Sequence, residues 1–299
     1  MTITYESEYL SLVKDCIDYG YYKEDRTKVG CKSLFGQTLN IDLTNNKLPI
    51  LTTRKINYRN AFEEFFFMFK GLTDTTILEE KGVNIWKGNT SREFLNSNPY
   101  TKSFDDGAMG YMYGHNWRYF GEFYGERDWV DGYDQMYELI NGLISNPNSR
   151  RHLITTFNPS IKEKVLMECH GIATQFHVTS KGLILEVYNR SQDLILGTPT
   201  NIIFYSLFAH LIAHCLGTQA IELIWHMGDA HVYSNHEEKF INKQFNRQVN
   251  TVPTLKINKQ LPSTNNAQKV INYIESLTFE DFEVVDYNSH SGLLFDMAV

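Results

Sequence analysis

Apolar residues recur at helical spacing over 5–19, which predicts an amphipathic helix at the start of the chain. Residues 33–41 alternate after the turn-forming Asp25-Arg26-Thr27 and read as a strand. Residues 60–70, NAFEEFFFMFK, are apolar on most of a helical circumference and stop at Gly71, the pattern of a buried helix with Glu63 at its wet edge. From 87 to 110 the chain turns polar and reads as a surface insertion, and a helix over 133–144 ends at Ser145-Asn146-Pro147-Asn148-Ser149. Strand patterns then follow at 152–157, 171–178 and, after the Thr179-Ser180-Lys181-Gly182 turn, 183–188. Asn201 reads as the cap of the most apolar helix, 202–216, closed by Gly217. A last clear strand, 221–225, runs into the polar segment from Gly228 to His236. Helices and strands without a regular βαβ rhythm predict an α+β fold, with helices packed on a mixed, largely non-parallel sheet. The lack of repeats and of Pro-, Gly- or Ser-rich linkers predicts one domain over 1–299.

Composition narrows the classes. A hydrophobic content of 42% over 299 residues is ample for a large core, and a net charge of −7 argues against a general nucleic-acid binder. Any anion site must therefore be local. The four cysteines, Cys16, Cys31, Cys169 and Cys215, are scattered without metal-ligand spacing, so reduced thiols in a cytoplasmic compartment are expected and no metal is called for. His210 and His214 lie four apart on one helix but lack the glutamate of a zinc-protease motif, and they read as structural. No secretory signal or membrane-length apolar run is visible.

Candidate chemistry gathers around Cys169-His170, which precedes a strand and is followed by Tyr188-Asn189-Arg190-Ser191-Gln192-Asp193. A cysteine beside histidine and arginine has the positive surroundings that favour a thiolate nucleophile. Taken alone, such a pair is more often buried structure. The wider set decides otherwise. Arg26 in Asp-Arg-Thr, Glu64, Ile85-Trp86, Tyr113-Gly114-His115-Asn116-Trp117-Arg118, Ser149-Arg150-Arg151, Cys169-His170, Arg190-Ser191-x-Asp193, Gly197-x-Pro199-x-Asn201 and Gly228-Asp229-Ala230-His231-Val232-Tyr233 occur in one order along nearly the whole chain. In that order they resemble the folate-dependent thymidylate synthase family, and the stretches around Ser91-Arg92-Glu93-Phe94 and 113–121 are most similar to its eukaryotic branch.

The resemblance implies one-carbon transfer from 5,10-methylenetetrahydrofolate to carbon 5 of dUMP through a cysteine-linked intermediate. By that likeness Cys169 is the nucleophile, Glu64, Tyr113, His170 and Asn201 complete the catalytic set, and Asn201 reads the pyrimidine. Arg26, Arg190 and Ser191 would hold the phosphate together with Arg150 and Arg151 of the other subunit of a homodimer. His231 and Tyr233 would hold the sugar. Ile85, Trp86, Leu166, Asp193, Leu196, Gly197, Thr200 and the terminal Val299 would line the folate site, with Arg54 and Lys55 as latch partners for the terminal carboxylate. Three positions depart from the family pattern: Glu168 stands where proline is usual, Thr200 where phenylalanine is usual, and Asn189 where glutamine is usual. A more polar cavity favours water over hydride at the exocyclic methylene. A dUMP hydroxymethylase therefore stays open beside the methylating enzyme, as does a nucleotide- or RNA-binding pseudoenzyme.

Overall fold

The computed structural model describes residues 4–24, 28–122, 124, 132–164, 171–260 and 265–297, the side chains of 162–164 excepted. In chain order they form α1 (Tyr5–Tyr19), β1 (Tyr21–Lys23), β2 (Cys31–Asp42), α2 (Tyr58–Phe69), α3 (Thr76–Glu80), α4 (Arg92–Asn96), α5 (Gly114–Arg118), α6 (Gln135–Ser145), β3 (Leu153–Thr155), β4 (Ala173–Val178), β5 (Leu183–Asp193), α7 (Gly197–Cys215), β6 (Ala220–Tyr233), α8 (Ser234–Phe240), β7 (Thr254–Ile257), α9 (Ala267–Glu275) and β8 (Phe282–Val285).

Among these residues β1-β2-β6-β5-β4-β3 make one six-stranded sheet, and β7 pairs with β8 apart from it. Every pairing is antiparallel except β5 with β6. The parallel pair is possible because α7 connects the two strands over one face of the sheet. That single crossover brings the polar ends of both strands, Asp193 and His231, into register.

The core lies on the helical side. α7 is buried around nearly its whole circumference, packed between β5 and β6 below and α2 above. Phe65 of α2 meets Phe204 and Phe208 of α7 with ring centroids 5.4 Å apart in each case. Such pairs add edge-to-face attraction to area burial. α1 begins with a capping box in which Thr4 and Ser7 bond each other's backbone amides, and it turns Tyr9, Leu12, Val13, Cys16 and Ile17 inward against β2 and β6. The opposite face of the sheet carries Thr38, Asn40, Glu186, Tyr188 and Leu153 and is exposed.

The α+β expectation holds, but several boundaries differ. β5 and β6 run on to Asp193 and Tyr233, well past their apolar stretches. Polar residues at those ends hide the alternation from the sequence. The polar segment 87–110, read as a surface insertion, is partly sealed instead, since Thr90, Leu95, Thr101 and Met109 are all buried. α7 starts at Gly197, not Asn201. Asp193 accepts N–H bonds from Ile195 and Leu196 and shapes the turn, and Pro199 in the first helical turn lacks an N–H that would be unbonded there anyway. Asn201 is therefore one turn inside the helix and does not cap it.

Candidate active site

Glu64 lies on the inner side of α2, 6% exposed, and accepts a hydrogen bond from Trp86 Nε1 at 2.7 Å. Burial pushes its carboxyl up to about 7, against the opposing effect of the Trp86 bond. Glu63 is buried as well, contrary to its expected place at the wet edge, because Lys81 reaches it at 2.6 Å and Arg59 at 3.7 Å. The adjacent carboxylates thus differ in kind: cations neutralise Glu63, and among the described residues Glu64 has only a neutral donor.

Tyr113 stands beside this pair, its ring 5.7 Å from that of Trp86 in an edge-on arrangement. It precedes α5 with φ of 35° and ψ of −98°, a conformation that side chains rarely adopt. Gly114 follows for a steric reason: a Cβ there would come within 2.8 Å of the Met68 carbonyl oxygen of α2. The close approach of α5 to α2 holds Tyr113 over Trp86. Ile85 packs partly buried on the core next to Trp86.

A second group forms where β5 turns into α7. Asp193 uses Oδ1 for the turn, while Oδ2 has no hydrogen-bond partner among the described residues. Leu196 and Thr200 are half-buried, and Asn201 is 7% exposed with no side-chain partner among the described residues. Gly197 leaves room beside it, for a Cβ there would lie 3.6 Å from Asn201 Nδ2 and 3.3 Å from Gln192 Nε2. Gln192 is buried to 2%, and its Oε1 has no partner among the described residues.

β6 brings the third group alongside. His231 and Tyr233 project from the same face, rings 5.2 Å apart and nearly perpendicular. His231 Nδ1 lies 3.5 Å from Asp229 Oδ1, and Lys23 of β1 pairs with the other oxygen of the same carboxylate. The neighbouring His231 ring, with Lys23 assisting, holds the Asp229 carboxyl at about 2. Burial disfavours the His231 imidazolium, yet the Asp229 bond and the nearby Asp193 charge outweigh it and raise the pKa above its ordinary value. Arg190 is exposed and Ser191 half-buried, and Ser191 is in register with Asp229.

Arg150 and Arg151 are not brought into this group. Both are exposed just before β3, whose pairing through Gln175 with Glu186 sets them beside the early part of β5. Along the strands that is on the order of 20 Å from Arg190. Arg26, Leu166, Cys169, His170 and Val299 lie outside the described residues. Arg54, expected as a latch, is 4% exposed and turned inward, donating to the Ile195 carbonyl and lying over the Phe295 ring at 4.9 Å. Lys55, the other expected latch, instead lines a separate polar cleft of 1130 Å³ with Tyr58, Asn250, Asp286 and His290, which contains no other candidate.

Sequence reasoning passed over the work of Asn189 and Thr156. Asn189 is fully buried; its Oδ1 accepts the Gly171 N–H at 2.8 Å and its Nδ2 donates to the His226 carbonyl at 2.9 Å. Thr156 Oγ1 donates to the Gly171 carbonyl at 2.8 Å. A signal for Asn189 was present, since it continues the inward series Leu183, Leu185, Val187 at period two.

The chain's similarity to other proteins agrees with this arrangement. The family model described as Thymidylate synthase matches residues 7–299. The chain is 37% identical to "Thymidylate synthase 1/2" of Encephalitozoon cuniculi over 98% of its own length and 97% of that protein. It is 36% identical to the thymidylate synthase of varicella-zoster virus (strain Dumas), covering 100% of the chain and 96% of the viral protein. Identity to the bifunctional dihydrofolate reductase-thymidylate synthase of Daucus carota is 38% over 97% of this chain, which spans only 53% of that longer protein. With a family match running from the first helix to residue 299, and with Glu64, Trp86 and Tyr113 meeting in one buried cluster, the chain belongs to the thymidylate synthase family.

Proposed function

We propose that the protein transfers a one-carbon unit from 5,10-methylenetetrahydrofolate to carbon 5 of dUMP, giving dTMP and dihydrofolate. The observation that carries this reading is Glu64, a carboxyl raised to about 7 and hydrogen-bonded to Trp86 beside Tyr113. A group that gains and loses a proton near neutrality suits the proton transfers at the pyrimidine that the reaction needs. Carbon 5 of uracil becomes nucleophilic only after addition at carbon 6, the step assigned to the Cys169 thiolate with His170 and Arg190 near it in sequence. Asn201, free to donate and accept, is assigned the uracil edge, and His231 with Tyr233 the sugar hydroxyl.

The residues present fit a folate. Trp86, Ile85 and Leu196 offer apolar surface, and Asp193 keeps Oδ2 available for a pterin donor. The co-substrate supplies the carbon unit and the reducing hydride. Thr200, Gly197, Leu166 and Val299 are assigned to the same side, and Tyr113 to orienting the reacting groups. Arg26, Arg190 and Ser191 are assigned to the phosphate, with Arg150 and Arg151 supplied by the second subunit of a homodimer joined through the exposed sheet face. The distance of that arginine pair from Arg190 within one chain supports their action across an interface. Among the described residues no helix is long and apolar enough to cross a membrane. The thiols of Cys16 and Cys215 form no disulfide among the described residues, which supports a cytoplasmic setting.

Incubation with dUMP and methylenetetrahydrofolate, with mass analysis of the nucleotide and absorbance of the folate, tests the reaction. dTMP with dihydrofolate is the expected outcome. 5-Hydroxymethyl-dUMP with tetrahydrofolate would replace methylation by hydroxymethylation, and tight dUMP binding without turnover would remove the enzymatic reading.

A further inference from the structure

The amide of Asn189 has a fixed orientation, because a backbone N–H can only donate and a backbone carbonyl can only accept. Its two partners come from different strands: Gly171 just before β4 and His226 in β6. The bridge falls next to a break in the sheet, where Gly36, Gly228 and Arg190 drop out of the β2-β6 and β5-β6 registers. A Cβ on Gly228 would come within 2.6 Å of the Arg190 carbonyl oxygen. No ladder pair forms at Gly228, and one row away, where Asn189 pairs with Met227, the Asn189 side chain adds a tie of its own.

Gly171 is pinned from every side. Asn189 takes its N–H, Thr156 donates to its carbonyl, and a Cβ would meet the Tyr205 hydroxyl at 2.2 Å, which with a φ of 61° leaves glycine as the unstrained choice. Thr156 is held in turn, since Asn116 Nδ2 donates to its carbonyl at 2.8 Å. Cys169 is two peptide units before Gly171, so the chain itself limits the distance between their Cα atoms to about 7.6 Å.

We infer that Asn189 is a positioning residue for the nucleophile: it ties the end of the Cys169 segment to the strand carrying Arg190 and Ser191 and to the strand carrying His231. The inference rests on the assignment of Cys169 as nucleophile. Its shorter amide, where the family pattern has glutamine, spans the two backbones without a further methylene. Removing the bridge frees Gly171 to shift, and a displacement on the order of 1 Å is enough to misplace a reacting atom.

The test compares Asn189→Leu and Thr156→Val with the parent. In a folded Asn189→Leu protein, kcat should fall on the order of a hundredfold, the effect of roughly a 1 Å misplacement, while the dissociation constant of dUMP changes less than about threefold. Alkylation of Cys169 by iodoacetamide, followed by mass spectrometry across pH, should show a shifted rate profile. Thr156→Val, which loosens the same glycine from its other side, should move kcat and alkylation in the same direction and carries the test if the leucine protein does not fold. A folded variant that keeps kcat within about threefold of the parent, or loses dUMP affinity as much as kcat, overturns the positioning role. Cys169→Ala separates the two levels: if it retains turnover, the nucleophile assignment fails, whereas loss of turnover there with unaffected Asn189 and Thr156 variants defeats only this inference.

Discussion

Glu64 illustrates how one buried side chain couples function to stability. Its folded pKa of about 7 lies above the 4.5 of an ordinary glutamate, so the folded state holds the proton more tightly than the unfolded chain. The associated stability is fully present below pH 4.5 and is lost as pH rises through 7, a change on the order of 3 kcal/mol. Glu64→Gln keeps an acceptor for Trp86 but cannot ionise. Its melting temperature should therefore gain on the parent between pH 5 and 8, while kcat drops at least about a hundredfold. Parallel melting curves across that range would show that Glu64 does not titrate there. Gln192 makes the opposite point, because its sealed Oε1 has no partner among the described residues. Gln192→Met keeps similar volume and removes an unsatisfied acceptor, which costs roughly 1 to 3 kcal/mol. The variant should melt higher than the parent in the absence of ligand, and a lower melting temperature would mean that Gln192 makes a compensating interaction.

Among the elements, α7 does the most to organise the core. Phe208 is wholly buried at the junction of three elements, with rings of Phe65, Trp117 and Phe176 centred 5.4, 5.6 and 5.1 Å from its own. Phe208→Ala should cost about 3 to 5 kcal/mol in denaturant unfolding, since the surrounding aromatic groups can collapse only partly into the space. A loss below about 1 kcal/mol would mean that the helix repacks freely. The same helix carries Asn201 in its second turn, so mobility introduced at Phe208 should also weaken dUMP binding. At the other end of the scale, short α5 holds Tyr113 in a strained backbone conformation only because Gly114 permits contact with α2.

The whole molecule has one covered and one exposed sheet face, and its arginines divide between two places. Arg190 and Ser191 lie near the end of β5, and Arg150 and Arg151 near the start. If the second pair serves the partner's phosphate site, mixing Arg151→Ala with Cys169→Ala protein should restore activity in hybrid dimers, because one of the two sites keeps both functions. Subunit exchange is verified by differential labelling. Exchange without recovery would confine each phosphate site to a single chain.

Much of the fold follows from local pattern, because apolar periodicity survives wherever an element faces only core. α1, α2 and α6 were visible for that reason, and so were the inward positions of β5 up to Val187. The elements' ends were not. Asp193, His231 and Tyr233 lie in polar stretches that do not read as strand, and Pro199 conceals a helix start that the Asp193 turn makes possible. The order of Arg26, Glu64, Cys169, Asn201 and His231 sufficed to suggest the family, since chemical residue types at fixed order are a property of the chain. Proximity is not. Only the tertiary structure set Trp86 on Glu64, separated Arg150 and Arg151 from Arg190, and gave Asn189 its two backbone partners. Those contacts join residues far apart in sequence, and their geometry depends on how α7 crosses from β5 to β6, which no local pattern encodes.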